Sequence, residues 1–394
     1  MKIDLYLIFQ SKSLPNFYIL GFSLIMLLSI ANAQDQTNYF NVNGGYTLDL
    51  ASNINGGLDH GFAYLGNLDL TFSLDTGKAN LWKGGTFFTY LLNNHGNLLS
   101  ELTGDFQIAN NIEANNNIRL YEFWYQHQFK SLSITIGQHN LNSVFALSKT
   151  GSFFINSSFG IQPDISVNIP TSIFPVAGLG IIFSWKASPK LNLNHGIYDG
   201  DPGTEDMNPN SLQWSINRKD GCLLINELQY NNTKEGLTLG TYKLGFWNHT
   251  QNITIKNENQ YNSQGIYFIG DQNIYRETDS NQGLMGFIQW GISLNKLNPL
   301  KSYRGFGLVY QGIFSEMDDD IFGFALANAI FSNSHKSKFT HGVLKNETTL
   351  ELSYEFVFNN KFSLKPNFQY IINPGSTPNI NNALIGLLRL YYSW

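Results

Sequence analysis

The sequence predicts an all-β fold, a transmembrane antiparallel β-barrel of about 16 strands (14–18) with long loops folded inward to constrict it. Three observations predict it. Aromatic residues make up 14% of the chain and charged residues 13%, about half of the roughly 25% charged residues of soluble domains. Short segments alternate between apolar and polar side chains, and short connections alternate with long ones along the chain.

The overall composition narrows the class of protein. Hydrophobic residues are 42% of the chain, and 36 of its residues are glycine, so the apolar side chains are dispersed, as in strands that face lipid on one side only. Beyond the N-terminal region no segment approaches the roughly 18 apolar residues of a spanning helix. The net charge of −5 makes a nucleic-acid partner unexpected. Cys222 is the single cysteine and cannot form an intrachain disulfide.

The N-terminal residues have the pattern of an export signal. Lys2 and Lys12 precede an apolar run, Phe17–Ile30, which the small-residue site Ala31–Ala33 follows. This pattern predicts a signal peptide at 1–33, cleaved after Ala33, and a barrel domain at 34–394. The alternative is a membrane anchor, but the apolar run is shorter than the roughly 20 residues that a spanning helix needs.

Period-two alternation is clearest near the C-terminus. In Leu350–Phe358 the even-numbered residues are apolar or aromatic and three of the odd-numbered ones are Glu or Ser, and Phe362–Tyr370 repeats the alternation after a short turn. This period predicts β-strands. Sixteen segments are predicted as strands, starting near Tyr39, Tyr64, Gly85, Arg119, Leu132, Leu179, Lys190, Cys222, Leu237, Gly265, Leu284, Gly305, Ile321, Leu350, Phe362 and Ala383. A barrel of this size encloses an aqueous channel.

The connections alternate in length, as they do in bacterial barrels with short periplasmic turns and long outer loops. The short ones lie near 129–131, 188–189, 231–236, 315–320 and 359–361, and the long ones at 93–117, 140–178, 200–221, 248–264 and 331–346. The connection near 271–283 is longer than this parity expects, which suggests a misplaced strand. The longest, from Asn140 to Gly178, carries several Phe and Pro residues, so we expect it to fold into the lumen as the constriction.

The last strand ends at an aromatic residue. Trp394 and Tyr392 share one face of this strand with leucines, while Arg389 and Ser393 share the other. We expect Trp394 and Tyr392 to act as the signal that the barrel assembly machinery reads, and to lie in the aromatic girdle at the membrane interface.

Several longer motifs carry a family resemblance. They are GFAYLGNLDL (61–70), WKGGTFF (82–88), ELTGD (101–105), RLYEFWY (119–125), GQHNLN (137–142), FINSSFG (154–160), IFPVA (173–177), YDGDPG (198–203) and QYIINPG (369–375). In this order they resemble the carbohydrate-selective outer-membrane porins. The resemblance implies a sixteen-stranded porin of the bacterial outer membrane that lets glucose or related sugars diffuse passively into the periplasm. It implies sugars and membrane lipid as partners, a trimeric or monomeric state, and no cofactor.

Candidate lumen residues follow from the chemistry of a sugar, because its hydroxyls suit carboxylates, amides and guanidinium groups and its C–H faces suit aromatic rings. The candidates are Glu101, Asp105, Arg119, Glu122, Trp124, Phe159 and Asp199. Arg119 and Glu122 lie three apart, so they face opposite sides of a strand unless a bulge intervenes. Trp124 shares its parity with Glu122 and is predicted either in the lumen or in the lipid-facing girdle.

Two other functions stay open. An outer-membrane enzyme of the phospholipase or protease class would need a Ser or His with a partner carboxylate, and His127 and His139 have no evident partners in the sequence. A porin for anions or aromatic acids would differ only in its lumen chemistry. The histidines show no metal-ligand spacing, so no metal site is predicted.

Overall fold

The structure, a computed structural model, describes residues 39–253, 261–277, 282–314, 316–336 and 342–394. The predicted leader at 1–33 lies outside the described residues. No helix among the described residues is long and apolar enough to cross a membrane.

Sixteen antiparallel strands form one closed barrel, in which each strand pairs with its sequence neighbours and β1 pairs with β16. The predicted fold and strand number are therefore confirmed. The strands are β1 (Phe40–Gly57), β2 (Gly61–Asp75), β3 (Gly85–Gly96), β4 (Asn117–Phe129), β5 (Leu132–Gln138), β6 (Leu179–Ser188), β7 (Leu191–Asp199), β8 (Cys222–Lys234), β9 (Leu237–Ile253), β10 (Tyr261–Arg276), β11 (Gly283–Ser293), β12 (Leu300–Gln311), β13 (Ile321–Phe331), β14 (Asn346–Asn359), β15 (Phe362–Ile372) and β16 (Asn381–Ser393).

The two faces of the strands differ as the alternation predicts. In β13, Ala325, Ala327 and Ala329 point inward and are fully buried, while Phe324, directly before Ala325, points outward and is 43% exposed. The outer face carries a belt of exposed large apolar side chains that includes Leu228, Phe246, Ile288, Phe306, Leu308, Leu352 and Phe368. Such a belt suits contact with lipid hydrocarbon.

Turns and loops segregate to opposite ends of the barrel. Two-residue turns at 130–131, 189–190, 235–236 and 360–361 lie at one end, and connections at 97–116, 139–178 and 200–221 lie at the other. Short turns face the periplasm in bacterial barrels, so the long-loop end is the external one.

Two predicted connections were too long because three strands extend further than their patterns suggest. β10 continues to Arg276 and β11 begins at Gly283, so only 277–282 connect them, which removes the parity problem. Likewise, β9 continues to Ile253 and β10 begins at Tyr261, so most of the predicted loop at 248–264 is strand.

The core lies inside the barrel. Inner loop 1 (97–116) contains a one-turn helix, Ser100–Thr103, and inner loop 2 (139–178) contains two, Ser157–Gly160 and Pro163–Ser166. The apolar side chains of inner loop 2 pack on the inward face of β6–β13: Phe145 belongs to a buried cluster with Trp247, and Phe159 packs edge-on against Phe287. The predicted inward folding of this loop is confirmed, and its buried apolar area holds it in place.

The C-terminal residue, Trp394, contacts β1 on the outer face of the barrel. Trp394 pairs with Gly44 of β1 through both backbone groups, at 3.1 and 3.3 Å. Its indole lies directly over Gly44, where a Cβ atom would come within 2.1 Å of the ring. Tyr392 stacks beside it at 6.0 Å between ring centroids. Both aromatics thus share the face that the sequence assigned to them.

Candidate functional site

An opening remains beside the two inner loops. It has a volume of about 580 Å³ and lies between these loops and the inner wall formed by β1–β4 and β16. Its lining includes Asn67, Asp69, Tyr90, Glu113, Tyr121, Asn142, Phe174, Glu205 and Arg389. Because inner loop 2 covers the wall of β6–β13, this opening lies against the opposite wall.

One side of the opening is aromatic. Tyr90 and Tyr121, on adjacent strands, meet edge-to-face with centroids 5.1 Å apart, and Tyr121 meets Phe174 of inner loop 2 in the same way at 6.2 Å. The Tyr90 hydroxyl donates to Asp69 Oδ1 at 2.6 Å. The hydroxyl of Tyr121 is buried and has no hydrogen-bond partner among the described residues.

Carboxylates dominate the charged groups of the opening. Asp69 accepts a further hydrogen bond from Asn67 Nδ2 at 2.7 Å. Glu113 accepts from two backbone N–H groups of inner loop 1, and burial raises the pKa of its carboxyl to about 7. Glu205 enters from the external loop (200–221), where it pairs with Arg119.

The cation that lines the opening is already bound to other groups. Arg389 on β16 donates to both carboxylate oxygens of Asp49 on β1, at 2.8 and 2.7 Å. Its Nη2 also donates to Asn111 of inner loop 1 at 2.8 Å. The lining therefore has an acidic excess, because Asp49 compensates the charge of Arg389 while Asp69 and Glu113 have no ion-pair partner among the described residues.

Wall carboxylates hold the inner loops in place. Five of them accept backbone N–H groups from the loops: Glu122 from Asn140, Glu227 from Ala146, Asp271 from Lys149 and Thr150, Glu351 from Ile155 and Asn156, and Glu347 from Phe106 and Gln107. All but one of these bonds measure 2.7–3.0 Å. Charge-assisted bonds of this kind are about twice as strong as neutral ones, so they fix irregular loop backbone inside the barrel.

A β-bulge in β4 decides where two predicted residues lie. Tyr90 pairs with Glu122 and Leu91 pairs with Leu120, so Tyr121 is the extra residue of β4. The bulge turns both Arg119 and Glu122 inward, and they are 0% and 6% exposed. Without it, their spacing would place them on opposite faces.

Arg119 and Glu122 do not line the opening themselves but bind residues and loops that surround it. Arg119 donates to Asn94 Oδ1 at 2.6 Å and to the Asn115 carbonyl at 2.9 Å, and it holds Glu205 in the lining. Glu122 accepts from Trp124 Nε1 at 3.1 Å, besides its bond to inner loop 2. Trp124 therefore lies on the inner face rather than in the lipid-facing girdle.

The remaining predicted residues lie elsewhere. Glu101 is exposed on the one-turn helix of inner loop 1. Asp105 is buried beside Glu347 and accepts from the Thr103 hydroxyl. Phe159 is fully buried in the packing of inner loop 2. Asp199 lines a separate cavity at the external end of β7.

The structure adds lining residues that the sequence had not singled out. Asp69, Tyr121 and Phe174 all fall within the quoted family motifs, so the motifs contained the signal although the candidate list did not. Tyr90 and Arg389 lie outside them. Their signal was the inward parity of their strands, which many other residues share.

Comparisons with known proteins give consistent matches. The sequence model described as carbohydrate-selective porin, OprB family, matches residues 59–393. Porin B of Pseudomonas aeruginosa is 22% identical over 394 residues, which cover 88% of this chain and 85% of that protein. A putative porin, QuiX, of Acinetobacter baylyi is 22% identical over 55% of each chain.

Solved structures share the architecture. The high-pH structure of Pseudomonas putida OprB superposes with a TM-score of 0.80 at 20% identity, covering 95% of this chain and 97% of that one. The outer-membrane channel DcaP of Acinetobacter baumannii gives a TM-score of 0.58 at 11% identity, covering 90% of this chain and 97% of that one. At these identities the superpositions show the fold alone.

Proposed function

This chain belongs to the OprB family of carbohydrate-selective porins and is a sugar-selective channel of the outer membrane, and we propose that the 580 Å³ opening is its sugar path. Transport through such an opening is passive diffusion, and the inner loops set its width. Glucose or a related monosaccharide is the proposed substrate, entering from the external end and leaving into the periplasm.

The aromatic side of the opening carries this proposal. Tyr90, Tyr121 and Phe174 offer ring surfaces to the C–H face of a sugar. Asp69 and the side-chain amides of the lining offer acceptors and donors for its hydroxyls. A solute with one apolar face and a polar rim matches both sides at once, whereas a simple ion uses only the polar side.

The charge of the opening favours a neutral sugar over an anion. Asp69 and Glu113 line it without an ion-pair partner among the described residues, whereas Glu205 is paired with Arg119 and Arg389 with Asp49. A low-dielectric wall strengthens the repulsion between these carboxylates and an anionic solute. The lining therefore fits a porin for neutral sugars better than a porin for anions or aromatic acids.

Family and fold are those of a channel, and the histidines of the enzyme alternative do not form a triad. His139 is only 4% exposed, its Nδ1 meets the Tyr198 hydroxyl at 3.1 Å, and its Nε2 lies 3.5 Å from Ser143 Oγ. A triad requires a carboxylate at the first nitrogen. We propose that the barrel has no hydrolytic activity, which turnover of a phospholipid or peptide substrate by purified protein would contradict.

Planar-bilayer recording tests the proposed path. Purified protein should conduct potassium chloride, and added glucose should reduce the current in a saturable way, because a bound sugar occludes the opening. Gluconate at equal concentration should reduce the current less, since the lining carboxylates repel it. Absence of conductance, or stronger block by gluconate than by glucose, would overturn the proposal.

We also propose that residues 1–33 are removed on export. Their charge and apolar pattern support this step. The mass of the protein extracted from outer membranes tests it, because a chain that begins at Gln34 is expected. Retention of the first 33 residues would contradict it.

A further inference from the structure

A second cavity lies at the external end of the barrel, apart from the sugar path. It has a volume of about 220 Å³ and is bounded by the segment 177–179, the end of β7 and the external loop. Its chemically distinctive lining residues are Asp199, Asp201, Asn208, Gln213, Trp214 and Asp220. The YDGDPG motif, which the proposed sugar path does not use, supplies the first two of these.

The second cavity adjoins the opening. Glu205 of the external loop lines the opening, and Asn208, three residues later, lines the second cavity. In the same way, Pro175 lines the opening and Ala177 lines the cavity. Short stretches of two loops therefore separate the two spaces, and the cavity lies at the end of the barrel where the long loops are.

The backbone around the cavity is held by specific hydrogen bonds. His249 Nε2 binds the Gly200 carbonyl at 2.7 Å, and Asp201 Oδ1 accepts from the Gly203 N–H at 2.9 Å. Asn208 Oδ1 accepts from the Gln213 N–H at 3.1 Å, and Asn208 Nδ2 donates to the Gln213 carbonyl at 3.3 Å. These hydrogen bonds fix the backbone of the external loop around the cavity.

Trp214 is held by two contacts and lines the cavity. Its ring stacks on Phe123 of β4, with planes 9° apart and centroids at 6.0 Å, and its Nε1 donates to Gln138 Oε1 at 2.7 Å. The residue is nevertheless 50% exposed and contributes to the cavity lining. An aromatic ring held rigidly with an accessible face suits stacking on a sugar ring.

The polar lining is rich in acceptors. Asp199 Oδ1 is buried and accepts no hydrogen bond within the described part of the chain, and Asp201 and Asp220 add two more carboxylates. Such a lining needs a ligand that donates several hydrogen bonds, as a polyol does. An anion is disfavoured, because neither Lys nor Arg is among the described lining residues.

We propose that this cavity is a second, external binding site for one neutral monosaccharide, which captures the sugar before it enters the opening. The volume supports a single sugar ring, since it lies below the roughly 300–1,000 Å³ typical of sites for drug-sized ligands. The inference rests on the proposed function. The second site makes sugar entry asymmetric, because capture at the external end raises the rate of entry from that end alone.

A divalent cation is the competing occupant for a group of carboxylates. Among the described residues, however, no group of three or more His, Cys, Asp or Glu side chains is placed to hold a metal ion. The stacked tryptophan also has no role in binding a cation of this kind. The geometry therefore favours the sugar.

The test compares Trp214→Ala and Asp199→Asn with wild type in single-channel recordings, with glucose added to one side at a time. Trp82→Ala is the matched control, because Trp82 is an exposed tryptophan at the opposite, turn end of the barrel. Trp214→Ala should lower the glucose association rate from the loop side about two- to tenfold, the worth of one aromatic contact, and Asp199→Asn should lower the same rate because a hydrogen-bond acceptor of the sugar is lost. The rate from the turn side, and the conductance in potassium chloride, should stay unchanged and so report intact folding.

Each result has one meaning. Equal loop-side rates in the variants and wild type would overturn the second site while leaving the sugar path intact. Absence of glucose block in wild type would overturn the proposed sugar path. Calorimetric titration with calcium chloride alone and with glucose alone completes the test: calcium binding that Asp199→Asn abolishes, with glucose binding unaffected, would assign the cavity to a cation and overturn the proposal.

Discussion

Asp49 of β1 and Arg389 of β16 face each other across the strand pair that closes the barrel, joined by two hydrogen bonds of 2.8 and 2.7 Å. The same ion pair binds inner loop 1: Asn110 donates to Asp49 at 2.7 Å, and Asn111 accepts from Arg389 at 2.8 Å. One interaction thus joins the closing strands and positions a loop that narrows the sugar path.

Removing the acid of this pair should destabilise the barrel. In Asp49→Ala the guanidinium of Arg389 loses its charged partner in a largely buried position, a change that costs about 3–5 kcal/mol. Thermal unfolding in detergent should shift to lower temperature, and the released cation should raise the anion permeability of the opening. Glu101→Ala is the control, since Glu101 is exposed, and a melting temperature equal to that of wild type in Asp49→Ala would contradict the prediction.

Shortening Tyr121 should weaken sugar block. Its ring contacts both Tyr90 and Phe174 in the lining, so Tyr121→Ala removes the centre of the aromatic side and widens the opening. We expect a higher conductance in potassium chloride and glucose affinity lowered about two- to tenfold. Phe129→Ala, at the exposed turn end, should leave both quantities at wild-type values. Unchanged glucose block in Tyr121→Ala would remove the ring from the sugar path.

Neutralising Glu351 should loosen inner loop 2. Its carboxylate accepts the N–H groups of Ile155 and Asn156 at 2.7 and 2.9 Å, and a glutamine presents an amide N–H₂ to one of these donors. The loss of a charge-assisted bond costs about 1.5–3 kcal/mol. Glu351→Gln should therefore give larger and noisier currents, while Glu235→Gln on an exposed turn should not. Quiet wild-type currents in Glu351→Gln would count against loop anchoring.

Glu113 should make ion selectivity depend on pH. Burial raises the pKa of its carboxyl from 4.5 to about 7, so the group is mostly neutral at pH 6 and mostly charged at pH 8. Cation preference, measured as the reversal potential in a potassium chloride gradient, should rise across this interval.

The stability contribution of Glu113 has the opposite dependence on pH. An acid whose folded pKa is raised contributes stability below its unfolded pKa and loses it as pH rises toward the folded value, here between about 4.5 and 7. Glu113→Gln should abolish both the selectivity change and this part of the pH dependence. A persistent selectivity change in Glu113→Gln would assign it to another group.

Gly44 should be intolerant of a side chain. A Cβ atom there would lie 2.1 Å from the Trp394 ring, whereas at Gly45 the nearest atom would be 3.3 Å away. Gly44→Ala should displace Trp394 and lower the fraction of heat-modifiable, folded barrel in outer membranes more than Gly45→Ala does. We expect Trp394→Ala to impair assembly as well. Normal folded yields in both Gly44→Ala and Trp394→Ala would contradict a role of this contact in assembly.

The strand content was predictable because the pleat is a local property. Side chains alternate between the two faces at every residue, so an apolar and a watery face leave a period of two in the chain itself, as in Leu350–Phe358. Strand number, inward and outward faces and the alternation of loop lengths all followed from this period. The family motifs then identified the solute class, and the long segment before Gly178 predicted the inward loop.

The tertiary structure alone decided which residues line the sugar path. Asp69, Tyr121 and Arg389 meet there although they come from opposite ends of the chain, and the bulge at Tyr121 turned both Arg119 and Glu122 inward. Whether an inward carboxylate faces the solute or binds loop backbone depends on where the folded loops lie. Those positions result from long-range packing inside a closed barrel, which leaves no period in the sequence.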